Sequence, residues 1–224
     1  MDLGTQAAGI GALADDTRRA LYEYVAAQPD SVGREQAAAA LGIAPHNVNF
    51  HLDRLVSEGL LEVEFRRLSG RSGPGAGRPS KLYRRASREF AVTLPPRHYD
   101  LVGDILADAV TRAAGGASLE DCLADAAREE GTAVGAAARD VVPAPPLEAM
   151  ATVLGSQGYE PRVEDDELVL SNCPFDTLAR KHTALVCGLN RDYVQGVADG
   201  LGCDEVTASL VPDPERCCVR ARTD

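Results

Sequence analysis

Residues 32–85 read VGREQAAAALGIAPHNVNFHLDRLVSEGLLEVEFRRLSGRSGPGAGRPSKLYRR, and this stretch decides the fold. Two short helical patterns meet at Gly42, and Pro45 suits the first turn of the second helix, where its missing N–H leaves no bond unmade. An apolar segment at residues 60–65 and a basic one at 81–86 predict two strands. A loop rich in glycine and proline, residues 69–80, joins them as a hairpin.

This order of elements is typical of a winged helix-turn-helix, which places one helix in the major groove of DNA and a loop beside it. The predicted helix at residues 45–58 has an apolar face that includes Val48, Leu52 and Leu55. Its opposite face and the hairpin carry the side chains expected to contact duplex DNA, which are His46, Asn47, Phe50, Arg54, Arg71, Arg78, Lys81, Arg84 and Arg85.

The chemistry of these side chains fits groove and phosphate contacts. Asn47 can bind adenine and Arg54 can bind guanine or a phosphate, while Phe50 can contact a thymine methyl group. Arg71 or Arg78 can enter the minor groove, and the basic strand can line the phosphates. The alternatives are a solvated helix face and a flexible loop with solvated charges.

The charge of the chain is uneven. Its net charge is −11, but residues 1–90 carry 12 Lys/Arg and 11 Asp/Glu, whereas residues 91–224 carry 11 and 23. Residues 66–88 contain eight basic side chains and no acidic one. Because salt screens charges beyond about 8–10 Å, DNA responds to this local field rather than to the total.

The composition indicates a globular protein of the cytoplasm. Apolar residues make up 45% and charged residues 25% of the chain. No stretch of the sequence is apolar and long enough to predict a transmembrane helix, so no membrane partner is expected. The first residues lack the basic and apolar segments of a signal peptide.

The predicted fold class is α+β, an N-terminal winged helix-turn-helix followed by a C-terminal α+β sensor domain with a small antiparallel sheet. We expect a DNA-binding domain at residues 1–90, a linker and helical region at 91–142, and a cysteine-containing domain at 143–224. The apolar face of the predicted helix at 99–114 is broad, which favours a role in forming a homodimer; packing within one chain is the alternative.

Four finer expectations concern element boundaries. Residues 10–27 predict one helix, with Asp15, Asp16 and Thr17 where an N-cap would lie. Residues 118–139 predict a helix that Gly131 can break. Pro174 is expected in the first turn of a largely helical segment, residues 174–201. Cys217 and Cys218 are expected inside a strand, where their side chains would point to opposite faces.

Five of the six cysteines lie in the last 52 residues: Cys173, Cys187, Cys203, Cys217 and Cys218. In a cytoplasmic protein such thiols indicate metal binding or redox chemistry before structural disulfides. A helix N-terminus after Cys173 would favour its thiolate, the form that binds metals. The spacing is unlike the paired C-x₂-C ligands of zinc fingers. Cys122, alone on a predicted helix, is expected to be a buried structural residue.

The chain resembles SufR-type and related ArsR/DeoR-like winged-helix regulators, through the GRPSKLYR segment of its hairpin and the NCP…C…C pattern of residues 172–218. The resemblance implies a dimeric repressor whose iron–sulfur cluster sets its affinity for operator DNA. Cys173 and Cys187 match the first two cysteines of that pattern. Cys217 or Cys218 matches the last, and Cys203, Cys218 and His182 remain alternatives for the remaining ligand.

The sequence therefore predicts a non-enzymatic transcription regulator controlled by an iron–sulfur cluster or by its redox or metal state. One alternative is a winged-helix regulator with a structural zinc site and a pocket for a small-molecule effector. A thiol redox enzyme is a minor alternative, since no C-x-x-C motif is present.

Overall fold

A computed structural model describes residues 3–67, 79–213 and 215–223. The chain divides into two compact units, Met1–Val92 and Thr93–Asp224. Both helices and antiparallel sheets are present, so the predicted α+β class is confirmed. Among the described residues, no helix combines the length and the apolar character that crossing a membrane requires.

The first unit packs helices against a three-stranded antiparallel sheet in the order β1-β3-β2. Its elements are α1 (Leu3–Ala12), α2 (Asp16–Ala26), β1 (Val32–Gly33), α3 (Arg34–Leu41), α4 (Pro45–Ser57), β2 (Leu61–Arg66) and β3 (Ser80–Arg85). Leu21, Val48, Leu52 and Tyr83 are fully buried in its core. The sequence did not predict β1, which pairs with β3 at Val32.

The single helix predicted for residues 10–27 is wrong, because the chain turns between α1 and α2. The cause is local. Asp15 has an extended backbone and caps α2, where its side-chain oxygen accepts a hydrogen bond from the Arg18 N–H at 2.9 Å. A carboxylate in this position satisfies a backbone donor that the helix leaves free. Of the three residues expected at the N-cap, Asp15 therefore takes that position, and Asp16 and Thr17 lie in the first turn of α2.

Glycine and proline set the limits of the helix-turn-helix. Gly42 ends α3 in the left-handed conformation at φ 66°, and Gly59 follows α4 at φ 76°. Such angles are unfavourable for residues with a Cβ. Pro45 stands at the start of α4, as predicted. Gly42 and Pro45 thus set the turn between α3 and α4, and Gly59 marks the end of α4.

The second unit packs helices against a four-stranded antiparallel sheet in the order β4-β5-β7-β6. Its elements are α5 (Tyr99–Ala113), α6 (Leu119–Ala138), α7 (Pro146–Ser156), β4 (Pro161–Glu164), β5 (Glu167–Leu170), α8 (Asp176–Lys181), α9 (Thr183–Leu201), β6 (Val206–Leu210) and β7 (Val219–Thr223). Its core extends over helices α5, α6, α7 and α9 and the sheet. The helices of residues 91–142 therefore share one core with the residues that follow.

Helix α6 is continuous, so the break considered at Gly131 does not occur. Gly131 instead permits a close approach of α9. A Cβ atom there would lie 2.1 Å from the backbone oxygen of Tyr193, and one at Gly196 would lie 2.2 Å from that of Arg128. Gly135 and Gly200 are equally tight. The two helices are in backbone contact through four glycines.

Helix α5 has its apolar face inside its own unit. Val102, Ile105 and Ala109 are buried, and the helix packs against α6. Val110 remains 57% exposed and Tyr99 38% exposed. These two are the exposed large apolar side chains of α5.

Two local expectations about the cysteine region are wrong. Pro174 lies before the helix rather than in its first turn, because α8 begins at Asp176 with Phe175 as its N-cap. The segment of residues 174–201 is largely helical, as predicted, with an interruption at His182 before α9. Strand β7 begins at Val219, so Cys217 and Cys218 precede it rather than alternate within it. Because they lie outside the strand, their side chains need not point to opposite faces of the sheet.

Candidate nucleic-acid interface and cysteine site

The DNA-binding surface predicted on α4 is exposed. His46, Asn47, Phe50 and Arg54 all reach solvent, and Phe50 is 67% exposed. Val48, Leu52 and Leu55, on the other side of the helix, are buried. The Arg54 guanidinium is paired with Glu58, one turn along the helix, at 2.6 Å; the Arg54 side chain is the exposed member of this pair and that of Glu58 is mostly covered. Contacts of this kind are weak enough for Arg54 to exchange Glu58 for a phosphate or a base.

Asp53 joins α4 to the sheet. The Lys81 ammonium on β3 is hydrogen-bonded to the Asp53 carboxylate, and the Tyr83 hydroxyl donates to Asp53 Oδ1 at 3.2 Å. The bond to Asp53 raises the pKa of Lys81, and burial raises the pKa of Tyr83. Both side chains therefore stay protonated near neutral pH. This junction fixes the angle between the helix and the hairpin strands, and Lys81 is engaged here rather than free for DNA.

The remaining predicted DNA contacts are divided. Arg84 is paired with Glu62 on β2 at 2.9 Å, and Arg85 at the end of β3 is exposed. Arg71 and Arg78 lie outside the described residues. The structure thus places the exposed side chains of α4 and the basic side chains of β3 in the same unit. Of those basic side chains, Lys81 is paired with Asp53 and Arg84 with Glu62.

Four of the predicted cysteine ligands lie together in the second unit. The Cys217 thiol interacts with the thiols of Cys173 and Cys218, and Cys218 also interacts with Cys187. Cys187 is in α9, Cys173 follows β5, and the adjacent pair precedes β7. Their contacts form a chain from Cys173 through Cys217 and Cys218 to Cys187.

The four thiols differ in acidity. A hydrogen bond with Cys217, aided by the backbone N–H of Phe175, lowers the pKa of Cys173 against the effect of burial. Bonds with Cys217 and Cys187 lower the pKa of Cys218 to about 6. The pKa of Cys217 is raised by its bonds to Cys173 and Cys218 and by burial, and burial raises the pKa of Cys187 to about 12. Two thiolate-favouring sulfurs thus alternate with two that keep their protons.

A buried amide that sequence reasoning missed completes this site. Asn190 is 1% exposed, and its Nδ2 donates to the Cys217 sulfur at 3.2 Å. The Tyr159 hydroxyl donates to Asn190 Oδ1 at 2.6 Å, which directs the amide N–H towards the sulfur. The available signal was a polar residue at a position that shares the apolar face of the helix with Val186, Tyr193 and Val197. Hydrogen bonds to a cysteine sulfur stabilise its negative charge and tune a metal bound to it.

Asn172, in the NCP sequence, has a structural role. Its Oδ1 accepts the Glu160 N–H at 2.6 Å and its Nδ2 donates to the Gly158 carbonyl at 2.9 Å. The Arg97 guanidinium donates to the backbone oxygen of Cys173. The segment that carries Cys173 is therefore held at fixed points, and a polar pocket of about 220 Å³ lies beside it.

The other candidates lie apart from this group. Cys203 is buried just after α9, where burial and the nearby carboxylates of Glu205 and Asp204 raise its pKa. Cys122 is buried in α6, as expected for a structural residue. His182 is exposed between α8 and α9. The structure therefore brings together Cys173, Cys187, Cys217 and Cys218, and leaves Cys203 and His182 outside.

The donor set suits a soft metal, since thiolates are the ligands of iron–sulfur clusters and of zinc. In the described part of the chain, however, no three histidine, cysteine or carboxylate side chains are placed so as to hold one metal ion. The sulfurs follow one another in a chain and do not surround a common point. The residue types fit such a group, and their present positions do not form a closed site for a single ion.

Comparison with known proteins identifies the first unit. A family model described as a helix-turn-helix domain matches residues 13–64, which include α2, α3, α4 and the first part of β2. No curated protein and no solved structure matches the chain. The predicted helix-turn-helix is confirmed, and the match supports a DNA-binding transcription regulator of the winged-helix type.

Proposed function

We propose that this chain is a transcription regulator, most simply a repressor, whose affinity for operator DNA depends on an iron–sulfur cluster bound by its cysteines. The observation that carries the proposal is the helix-turn-helix of residues 13–64, with the polar face of α4 exposed. Regulators with this domain are generally not enzymes, and we propose no reaction for the chain.

The DNA-binding half of the proposal depends on α4. An exposed face that carries His46, Asn47, Phe50 and Arg54 offers donors, acceptors and one aromatic ring to base edges. One such helix reads only a few base pairs, so proteins of this architecture bind as dimers to paired half-sites. We propose a homodimer, with Tyr99 and Val110 on α5 as the first surface to test.

The sensing half depends on the four grouped thiols. Residues distant in sequence meet only when the unit is folded, so a group bound there would couple its presence to the structure of α9 and β7. We propose Cys173, Cys187, Cys217 and Cys218 as the ligands. When bound, an iron–sulfur cluster would supply sensitivity to oxidants and to iron supply. Asn190 would hold the Cys217 sulfur, and the backbone of Phe175 that of Cys173.

Anaerobic purification with iron, sulfide and zinc quantified together tests this assignment. We expect iron and sulfide in the wild-type protein and their loss in Cys173→Ser. Cys203→Ser is the matched control, because Cys203 is also buried but lies outside the group, and it should keep the metal. Full metal content in Cys173→Ser, or loss in the control alone, would contradict the proposed ligand set.

A second candidate is a regulator with structural zinc and a small-molecule effector, and one observation favours it. A groove of about 720 Å³ runs between the first turn of α6 and α9, lined by apolar side chains that include Leu119, Leu123, Leu185 and Leu210, with Arg191 at its side. Its size suits a small organic ligand. Zinc without sulfide in the anaerobic protein would favour this candidate over the first.

A further inference from the structure

Phe65 is a large aromatic side chain left in solvent. It lies near the end of β2 and is 67% exposed, the same exposed fraction as Phe50 on α4. Leu60, Leu61 and Tyr83, which lie close to it in sequence or on the paired strand, are buried, whereas Leu3 and Ile10 on α1 are exposed as well. A phenylalanine side chain that stays in solvent adds little to the stability of the fold, and burying it against a partner would be favourable.

Strand register places Phe65 on the side of the sheet that meets α4. Phe65 is directly opposite Lys81 in the antiparallel pair of β2 and β3, and directly opposite residues have side chains on the same face. Lys81 contacts Asp53 on α4. The side chain of Phe65 therefore projects from the same face of the sheet as the group that touches the recognition helix.

Helix spacing extends this surface to Phe50. Residues three apart lie side by side on a helix, so Phe50 neighbours Asp53 on α4. The order along the surface is then Phe50, Asp53, Lys81 and Phe65, with one exposed ring on each side of the ion pair between Lys81 and Asp53. We call these four residues the aromatic strip.

The charge around the strip favours a polyanion as its partner. Asp53 is the acidic member of the strip, and Lys81 and Tyr83 both donate to it, which offsets its repulsion of phosphate. Arg66 follows Phe65 and is 54% exposed along its side chain; it contacts Glu64 at 3.5 Å, a weak surface pair that a phosphate can replace. Arg85 is exposed at the end of β3. The strip also continues the exposed face of α4.

We propose that Phe65 is an additional DNA contact, whose ring packs against sugar and base edges in the groove next to the one that receives α4. Apolar side chains make such contacts in minor grooves, where they pack against or partly enter base steps. The inference rests on the proposed DNA-binding function and adds to it a specific aromatic contact outside the recognition helix.

The test uses the full-length protein and short duplexes that the wild type selects from a randomised pool, with affinity measured by fluorescence anisotropy over a range of salt concentrations. Phe65→Ala should weaken binding roughly tenfold or more, as expected for loss of a buried phenylalanine contact. Phe65→Leu should recover part of the affinity. Val141→Ala, which truncates a 75% exposed apolar residue of the other unit, should leave binding unchanged.

The dependence of affinity on salt distinguishes the loss of an apolar contact from the loss of phosphate contacts. Phe65→Ala should leave the slope of log affinity against log salt unchanged, because no phosphate contact is removed, whereas Arg85→Ala should reduce it by about 0.9 if Arg85 binds one phosphate. Far-UV circular dichroism should show that each variant is folded.

Two outcomes overturn the inference in distinguishable ways. If the wild type selects duplexes and Phe65→Ala binds them equally well, Phe65 is not a contact while the proposed function stands. If the wild type selects none, the proposed function fails and the inference fails with it. A change in oligomeric state in Phe65→Ala, with DNA affinity per dimer unaltered, would assign the ring to a protein interface instead.

Discussion

Replacing Gly196 with alanine tests the backbone contact between α6 and α9. The new Cβ would lie 2.2 Å from the Arg128 carbonyl oxygen and 2.9 Å from its carbon. Because these are backbone atoms, no side-chain rotation can relieve the overlap. The two helices must move apart by roughly 1 Å to restore van der Waals contact at about 3.5 Å.

The expected magnitude follows from two opposing effects. Alanine in a helix interior is favoured over glycine by about 1 kcal/mol. Overpacking costs about 1–3 kcal/mol, and the upper end applies where only backbone can yield. We therefore expect Gly196→Ala to lower the free energy of unfolding of the second unit by about 2 kcal/mol.

Gly188 on the same helix provides the matched control. A Cβ there would have no atom within 4 Å, so alanine should give only the gain in helix propensity and stabilise the unit by up to about 1 kcal/mol. Urea denaturation followed by far-UV circular dichroism measures both variants, and the midpoint converts to free energy through the slope. Equal stability of Gly196→Ala and Gly188→Ala would refute the close approach of the helices.

Three further predictions concern other contacts. Asp53→Asn should lower the free energy of unfolding of the first unit by about 1 kcal/mol, because the ionic link from Lys81 on β3 to α4 is lost; a urea midpoint equal to that of the wild type would contradict this role. Asn190→Ala should destabilise the second unit by about 1–3 kcal/mol, since the Tyr159 hydroxyl is left buried without its acceptor; a urea midpoint equal to that of the wild type would count against it. Two arginines on β7 hold the pKa of Glu167 below its ordinary value, so its contribution to stability is present above the unfolded pKa of about 4.3 and is lost as the pH falls through the folded pKa. Glu167→Gln should therefore flatten the acid branch of the stability profile, and an unaltered acid branch would exclude this effect.

The limits of the helix-turn-helix could be predicted from the sequence because they depend on local backbone preferences. Gly42 and Gly59 permit a left-handed backbone and Pro45 fixes its own φ, and neither property depends on the rest of the fold. Helix α4 begins at the predicted residue and ends one residue earlier than predicted. Asp15 gave a correct cap for the same reason, although the separate helix before it was missed. Signals of this type act within a few residues.

Features that depend on residues distant in sequence were not predictable. A glycine within a helix is equally consistent with a break and with a close helix contact, and only α9 decides between them at Gly131. The strand β1 exists because β3 pairs with it.

The cysteine site shows the same limit. The spacing of the cysteines suggested several ligand sets, and it could not separate Cys203 from Cys218. The separation depends on where α9 ends and β7 begins, since these ends place Cys218 beside Cys187 and Cys203 beside Glu205. Asn190 was missed because its partners, Cys217 and Tyr159, lie on other parts of the chain.

The central claim is that the cysteine group controls DNA binding by the helix-turn-helix. The direct test measures the affinity of anaerobically purified protein for its selected duplex, before and after the bound metal is removed by a chelator, at one fixed salt concentration. We expect a change of about 5- to 150-fold, the range of typical coupling between two sites, and no such change in Cys173→Ser. Equal affinity of the two states of the wild type would contradict the claim.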